Sequence, residues 1–339
     1  MKGIGILFLV FQGIICFGQN YIFQNQHYFK PYLINPALAG ANRSGNAMLV
    51  YSKRLIGFEN SPNSQLLSID YPITKNQIGL GINGFKDQNG AVSFVGLEST
   101  FAYHIENIKR GANKPISGLS FGISATYNQY RIDRLGLLAG NVDNNLFTDD
   151  TKFFNAYPNA NVGFHFHSHG FHLGISAYNI IPQVNDLFRD ENDVRNAFLT
   201  FISSGVKLKV SENIEITPSV LLRTQQSADY QLDMMVDVTF NLPGGAYFSV
   251  APVYRNYEYS VFSKSRSVGM NAMVSKYPFT AGYQFDIGLS RVQSIPNMGH
   301  LLIVAYALSE KPKLKKKQEK NKAATKTTQA SPSKQKKNE

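Results

Sequence analysis

The chain has 339 residues, 34 Lys and Arg against 23 Asp and Glu for a formal net charge of +11, one cysteine and no tryptophan. A lone cysteine excludes an internal disulfide framework and a zinc–thiolate cluster. The positive charge is not spread evenly, and where it sits decides what it implies.

The first residues, MKGIGILFLVFQGIICFG, place one lysine before an apolar stretch from Ile4 to Phe17 and end on a small residue. That is the three-part pattern of a secretory signal over 1–18, too short for a mature membrane helix, with cleavage expected just before Gln19. Cys16 leaves with it, since Ile15 ahead of it does not suit lipoprotein processing.

Residues 19–45 follow as a leader ahead of any ordered pattern, and their centre reads FKPYLINPALAG. Pro31 and Pro36 each remove a backbone donor and fix φ, so no regular helix fits, and the alternation of a strand is missing. Tyr28, Phe29, Tyr32, Leu33, Ile34 and Leu38 nevertheless want burial. Backbone that is neither helix nor strand cannot face lipid, but it can sit inside a barrel or across its mouth. Two readings stand for this leader: a plug in the periplasmic opening, and a docking surface for a partner.

From Asn46 to Leu308 one theme repeats, about ten residues and then a turn. In 118–128, Leu119, Phe121, Ile123, Ala125 and Tyr127 fall on one face and Ser120, Gly122, Ser124, Thr126 and Asn128 on the other. In 231–241 an apolar face of Leu232, Met234, Val236, Val238 and Phe240 opposes Asp233, Asp237, Thr239 and Asn241. A period of two is the strand signature. Fourteen segments are expected: 46–56, 63–73, 77–87, 91–105, 118–132, 160–168, 170–180, 196–210, 213–226, 230–242, 246–257, 265–275, 278–289 and 299–308. An even antiparallel meander returns both ends to one side. On that side the links are short (74–76, 169–170, 211–212, 243–245, 276–278), apart from one near 106–117, while 133–159 and 181–195 on the other side are the longest. Short periplasmic turns, long outer loops and segments near the 9–11 residues of a tilted crossing define an outer-membrane barrel. The 24 Phe and 18 Tyr gather near segment ends, as interfacial girdles require. The predicted fold is therefore all-β: a transmembrane, up-and-down antiparallel barrel of about fourteen strands over 46–308. A soluble sandwich alternates too, but leaves edges that a closed barrel does not.

Several groups on this frame carry chemistry. His165, His167, His169 and His172 in HFHSHGFH are read as facing the lumen together, where imidazoles could hold Zn or Cu; with no cysteine or fixed carboxylate nearby in sequence, a polar pore lining beside a turn is the preferred reading and no metal is assigned. Asp70, Glu98, Asp233 and Asp237 also point inward, as acids do in any wet barrel. No nucleophile elbow, phosphate loop or triad spacing is present, so no enzyme and no cofactor are expected. The long outer loops hold Asp143, Asp149, Asp150, Asp186, Asp190, Glu191 and Asp193 beside apolar Leu137, Phe147 and Phe153, a mixture suited to loop packing or to docking.

The last stretch, 309–339, has eleven Lys and three Glu, a net of +8 out of the +11 of the whole chain. Such a lysine run is expected to be a disordered periplasmic tail. In that compartment nucleic acid is not an available partner, so the charge points to anionic polymers such as peptidoglycan or to acidic protein faces.

LINPALAG (33–40) resembles the NPAYAG signature near the mature start of the PorP/SprF family of type IX secretion system membrane proteins. The next block, YSKRLIGFENSPNSQLLSIDYPI (51–73), is similar to that family's YR-x-QW-x-GF-x-x-AP-x-T stretch. Tyr51, Gly57, Phe58, Pro62 and Gln65 match, while Leu55 stands for the usual tryptophan and Ser61 for alanine. GLSFGISATYNQYRID (118–133) and PNANVGFHFHSHGFHLGIS (158–176) are similar to further blocks, so the resemblance covers about 20–308. It implies an outer-membrane barrel working with the type IX machinery, in several cases paired with one secreted surface protein or gliding adhesin; the partner's C-terminal domain is expected to dock on the outer loops or in the lumen. It implies no chemistry. The candidate plug or partner-contact residues are Tyr32, Leu33, Asn35, Pro36, Ala37, Gly40, Gly57, Phe58 and Pro62. A passive channel or small-solute transporter is the alternative function.

Overall fold

The computed structural model describes residues 26–42, 44–55, 61–73, 77–107, 117–132, 154–182, 198–225, 229–259, 263–289 and 298–308. The signal stretch, the lysine-rich tail and the acidic loop residues Asp143, Asp149, Asp150, Asp186, Asp190, Glu191 and Asp193 lie outside them.

The strands are β1 Asn46–Arg54, β2 Asn63–Ile73, β3 Ile78–Asn89, β4 Val92–Asn107, β5 Ser117–Ile132, β6 Phe154–Ser168, β7 Phe171–Tyr178 and β8 Leu199–Val206. They continue as β9 Leu208–Lys209, β10 Ile214–Gln225, β11 Asp229–Asn241, β12 Tyr247–Tyr259, β13 Ser263–Lys276, β14 Phe279–Gly288 and β15 Met298–Ala307. Each pairs antiparallel with its neighbours, and β8 and β9 both pair with β10. Those two are one stave interrupted at Lys207, so the wall has fourteen. It closes on itself: β1 pairs with β15 from Asn46↔Ala307 to Arg54↔Gly299. The closed wall leaves no free sheet edge, so its ladder donors meet neighbouring strands along most of its length.

Alternation decides which face is which. Along β2 the even residues Ser64, Leu66, Ser68 and Asp70 are buried while Leu67 and Tyr71 are exposed. Around the barrel the exposed band is greasy, with Leu49, Leu80, Leu97, Phe121, Ile123, Met234, Leu302 and Val304. The buried side is largely polar, with Asn83, Glu98, Thr100, Ser124, Asn161, Arg255 and Gln284. Oil outside and polar groups within is the reverse of a soluble sandwich and the arrangement a bilayer demands. No helix among the described residues is long and apolar enough to cross a membrane.

The fourteen expected segments correspond one to one with the staves. The largest boundary error is at β6, which begins at Phe154 and so takes in residues 154–159 of the expected outer loop. Pro158 stands inside this strand. It is tolerated because β6 pairs with β7 only from Val162 onward, so at its level the missing N–H breaks no ladder bond on that side.

Candidate functional site

The segment ahead of β1 lies inside the barrel. It is not irregular throughout: three short 3-10 turns, Gln26–Tyr28, Pro31–Ile34 and Pro36–Leu38, break it up. Pro31 and Pro36 each open a turn, where a missing N–H costs nothing. Asn35 between them is extended, as a residue before proline must be, and its Oδ1 accepts from Ala37 N at 3.0 Å. The same prolines that exclude a long helix thus set the two tight turns that fold the leader.

Polar contacts from many strands hold it. Lys30 Nζ lies 2.8 Å from Asp70 Oδ1, with both side chains under a tenth exposed, and the other oxygen of Asp70 accepts from Gly40 N at 2.8 Å. Burial pushes the Lys30 ammonium below the ordinary lysine range and Asp70 pulls it back. Tyr28 shares a hydrogen bond with Ser249 at 2.9 Å. Tyr32 donates to Thr100 at 2.8 Å, Asn35 Nδ2 to the Phe164 carbonyl at 2.9 Å, and His104 Nε2 to the Ala39 carbonyl at 2.9 Å. Ser176 and Tyr178 donate to the carbonyls of Ile34 and Leu33. A chain with no sheet of its own thus borrows partners from the wall for its buried peptide groups.

Apolar contacts fix its depth. Leu33 is fully buried in a cluster with Met48, Val50, Leu66, Phe85, Leu301 and Ile303, while Ile34 joins Tyr178, Leu199, Phe201 and Leu221. Beneath the leader the wall is shaved down by glycine. A Cβ on Gly122 would stand 2.3 Å from Ala37 N, one on Gly163 2.1 Å from Asn35 Oδ1, and one on Gly79 1.8 Å from the Ala39 carbonyl oxygen. Gly81 makes room for the Tyr32 hydroxyl and Gly282 for the Phe29 ring. These strand glycines face the lumen, so their absent side chains form the seat.

Of the residues singled out from sequence, Tyr32, Leu33, Asn35, Pro36, Ala37 and Gly40 are all buried in this assembly. Gly40 has φ +66° and the Gly79 backbone against it, so two requirements meet there. Pro62 is elsewhere: its carbonyl accepts from Arg54 N at 2.9 Å at the opposite end of β2 from the Gly40 contact. Gly57 and Phe58 lie outside the described residues. His165, His167 and His172 do share the lumen face, with ring centroids 5.9 and 6.1 Å from His165. His169 does not join them. It occupies the β6–β7 turn with φ +50° and bonds Ser168, because a two-residue turn takes it out of the strand's alternation. Among the described residues no group of three or more His, Cys, Asp or Glu is placed to hold a metal ion.

The inward acids are engaged. Besides Asp70, Glu98 accepts from Asn83 and Asn161, each at 3.0 Å. Asp233 meets Arg255 Nε at 3.3 Å, and Arg255 also binds Asp286. Beside the leader remains a cavity of about 500 Å³ bounded by Tyr28, Asp237, Thr217, Ser219 and His172. Sequence reasoning missed Lys30, Arg255 and the glycine seat. Lys30 carried a signal, a cation set between the apolar residues Phe29, Tyr32 and Leu33 of a segment that must enter a lumen containing acids.

Loss of the Asp70 carboxylate is expected to loosen the leader more than any other single polar change. Asp70→Asn strands Lys30, and removing one partner of a buried ion pair costs about 3–5 kcal/mol. Limited proteolysis of the folded protein in detergent checks this: cleavage within 26–42 should accelerate, and the double variant Lys30→Met, Asp70→Asn should recover much of the protection. Equal cleavage rates in parent and single variant contradict the role given to the pair.

A closed fourteen-stave barrel with a greasy outer band and a leader folded into its lumen is an outer-membrane β-barrel protein. The chain belongs to the family of type IX secretion system membrane proteins PorP/SprF, whose model matches residues 16–306. Among solved structures it is similar in fold to the CymD monoaromatic hydrocarbon channel, at 8% identity over 86% of this chain and 95% of that one, with a TM-score of 0.50. More distant likenesses are a Pseudomonas aeruginosa FadL homologue (9% identity, 81% and 93% covered, TM-score 0.45) and the Pseudomonas putida toluene transporter TodX (8%, 84% and 93%, 0.45). A search of curated proteins gave no significant match.

Proposed function

We propose that this protein is a non-enzymatic outer-membrane component of type IX secretion that binds one secreted surface protein, such as a gliding adhesin, and helps to export or anchor it. The observation that carries the reading is the leader: a lumen filled by the chain's own buried, ion-paired segment suits a scaffold better than a free conduit. In this reading the rim bearing the long loops faces outward and receives the partner's C-terminal domain. The rim at which β1 begins and β15 ends faces the periplasmic machinery. The lysines of 309–339 supply positive charge for anionic polymers such as peptidoglycan.

Deleting the protein is expected to abolish surface display of one partner while other type IX cargo is still exported, and a mild-detergent pull-down read by mass spectrometry should recover that partner. Loss of all export, or of none, counts against the proposal. The alternative, a passive channel for small solutes, draws on the cavity of about 500 Å³ left beside the leader. It requires steady conductance from the intact chain.

A further inference from the structure

Away from the leader, the bilayer-facing wall sinks into a groove of about 930 Å³ spanning β8 to β14. Val220, Val236, Met234, Val268 and Met270 line it, each between 38% and 50% exposed and on the same parity as the rest of the greasy band. The backbone shows why the wall gives way here. Pro218 on β10 and Pro252 on β12 both lie in the groove. The β11–β12 register runs to Met235↔Val253 and resumes only at Val238↔Val250, so two pairs are missing opposite Pro252, which has no N–H to give. On the lumen side, the cavity beside the leader is bounded by the same Ser219, Val220 and Met235 that border the groove. Bilayer core and lumen are therefore separated at this point by a single layer of residues with a gap in its ladder.

We propose that this groove seats one hydrocarbon chain of a bilayer lipid, which completes the wall where the ladder is broken. The groove is continuous with the lipid-facing band, so hydrocarbon is the medium already against it. An empty hollow would forfeit dispersion contacts on one side, and water would find too few polar partners among valines and methionines to stay. The flexible side chains of Met234 and Met270 adapt to a chain of variable shape. This inference is independent of the secretion reading above.

The absence of tryptophan from the chain makes the test direct. Phe285→Trp places a reporter in the groove, and Phe121→Trp places one on the plain lipid-facing surface of β5. The full chain is reconstituted in phosphatidylcholine vesicles containing increasing fractions of brominated-chain lipid. The groove reporter should reach half-quenching at a several-fold lower fraction of brominated lipid than the β5 reporter. Adding Val236→Phe, which fills the groove, should bring the two curves together. Coincident curves without that filling mean ordinary lipid contact and overturn the proposal. A groove reporter that brominated lipid fails to reach, with a co-purifying membrane protein, puts a partner's apolar segment there and overturns it equally.

Discussion

Removing residues 26–42 is expected to turn a closed barrel into a conducting one. In planar bilayers the intact protein should give little steady current, and the deletion variant should give discrete, long-lived openings. The leader fills the lumen from the rim where β1 begins, with Gly40 against Gly79, to mid-wall, where Leu33 meets Leu66 and Phe85. The wall does not depend on it for closure, because β1 pairs with β15 through its own ladder. The deletion uncovers polar wall groups, Asp70, Thr100, Ser124, Asn161 and Ser176, between the apolar patches that held Leu33 and Ile34, and these give entering water enough partners to replace the segment. A barrel of this strand number lies between those small enough to be filled by side chains and the porins that leave an aqueous channel. Heat-modifiable gel mobility separates an open barrel from an unfolded chain. Steady conductance from the intact protein would instead favour the channel reading, and a deletion variant that is folded but silent would show that something besides the leader blocks the lumen.

The barrel was legible in sequence because every stave states its two faces locally. Residues 118–128 show which side is greasy without reference to any other strand, and the even count and unequal loop lengths then order the rims. The large boundary error is at β6, where residues 154–159, Pro158 among them, are expected as loop and are strand residues, in part beyond the reach of β7, while His169 falls in the expected turn but does not share the strand's lumen face. The leader's need for burial was also legible, since an apolar stretch broken by Pro31 and Pro36 suits neither lipid nor water. Its contacts were not. Lys30 and Asp70 are forty residues apart, and Tyr28 and Ser249 are separated by 221, distances over which only the closed geometry of the wall creates neighbours. The glycine seat was hidden for another reason. A glycine in a strand reads as a weakness or a bulge, and its use becomes visible only once its parity faces a segment that must fit.

That seat supplies the second large effect. Gly122→Val should expel the leader while the barrel still assembles. A Cβ there would stand 2.3 Å from Ala37 N and from the Pro36 carbonyl carbon, both backbone atoms pinned by the Pro36–Leu38 turn and by the Asn35 bond to Phe164. Overpacking in a core that can shift costs about 1–3 kcal/mol. Here neither the strand nor the turn can shift without breaking ladder or capping bonds, so the cheaper response is for the segment to leave. Once it does, Leu33 and Ile34 lose their clusters, Lys30 loses Asp70, and residues 26–42 become a substrate for protease. The variant should therefore match the deletion in conductance and show rapid cleavage between 26 and 42, with the intact barrel's heat-modifiable mobility. Gly84 is the control: nothing lies within 4 Å of a Cβ built on it, so Gly84→Val should stay closed and protected. A Gly122→Val protein as silent and protease-resistant as its parent would mean that the leader does not rest on this surface, and the account of how the lumen is closed would have to be rebuilt from other contacts.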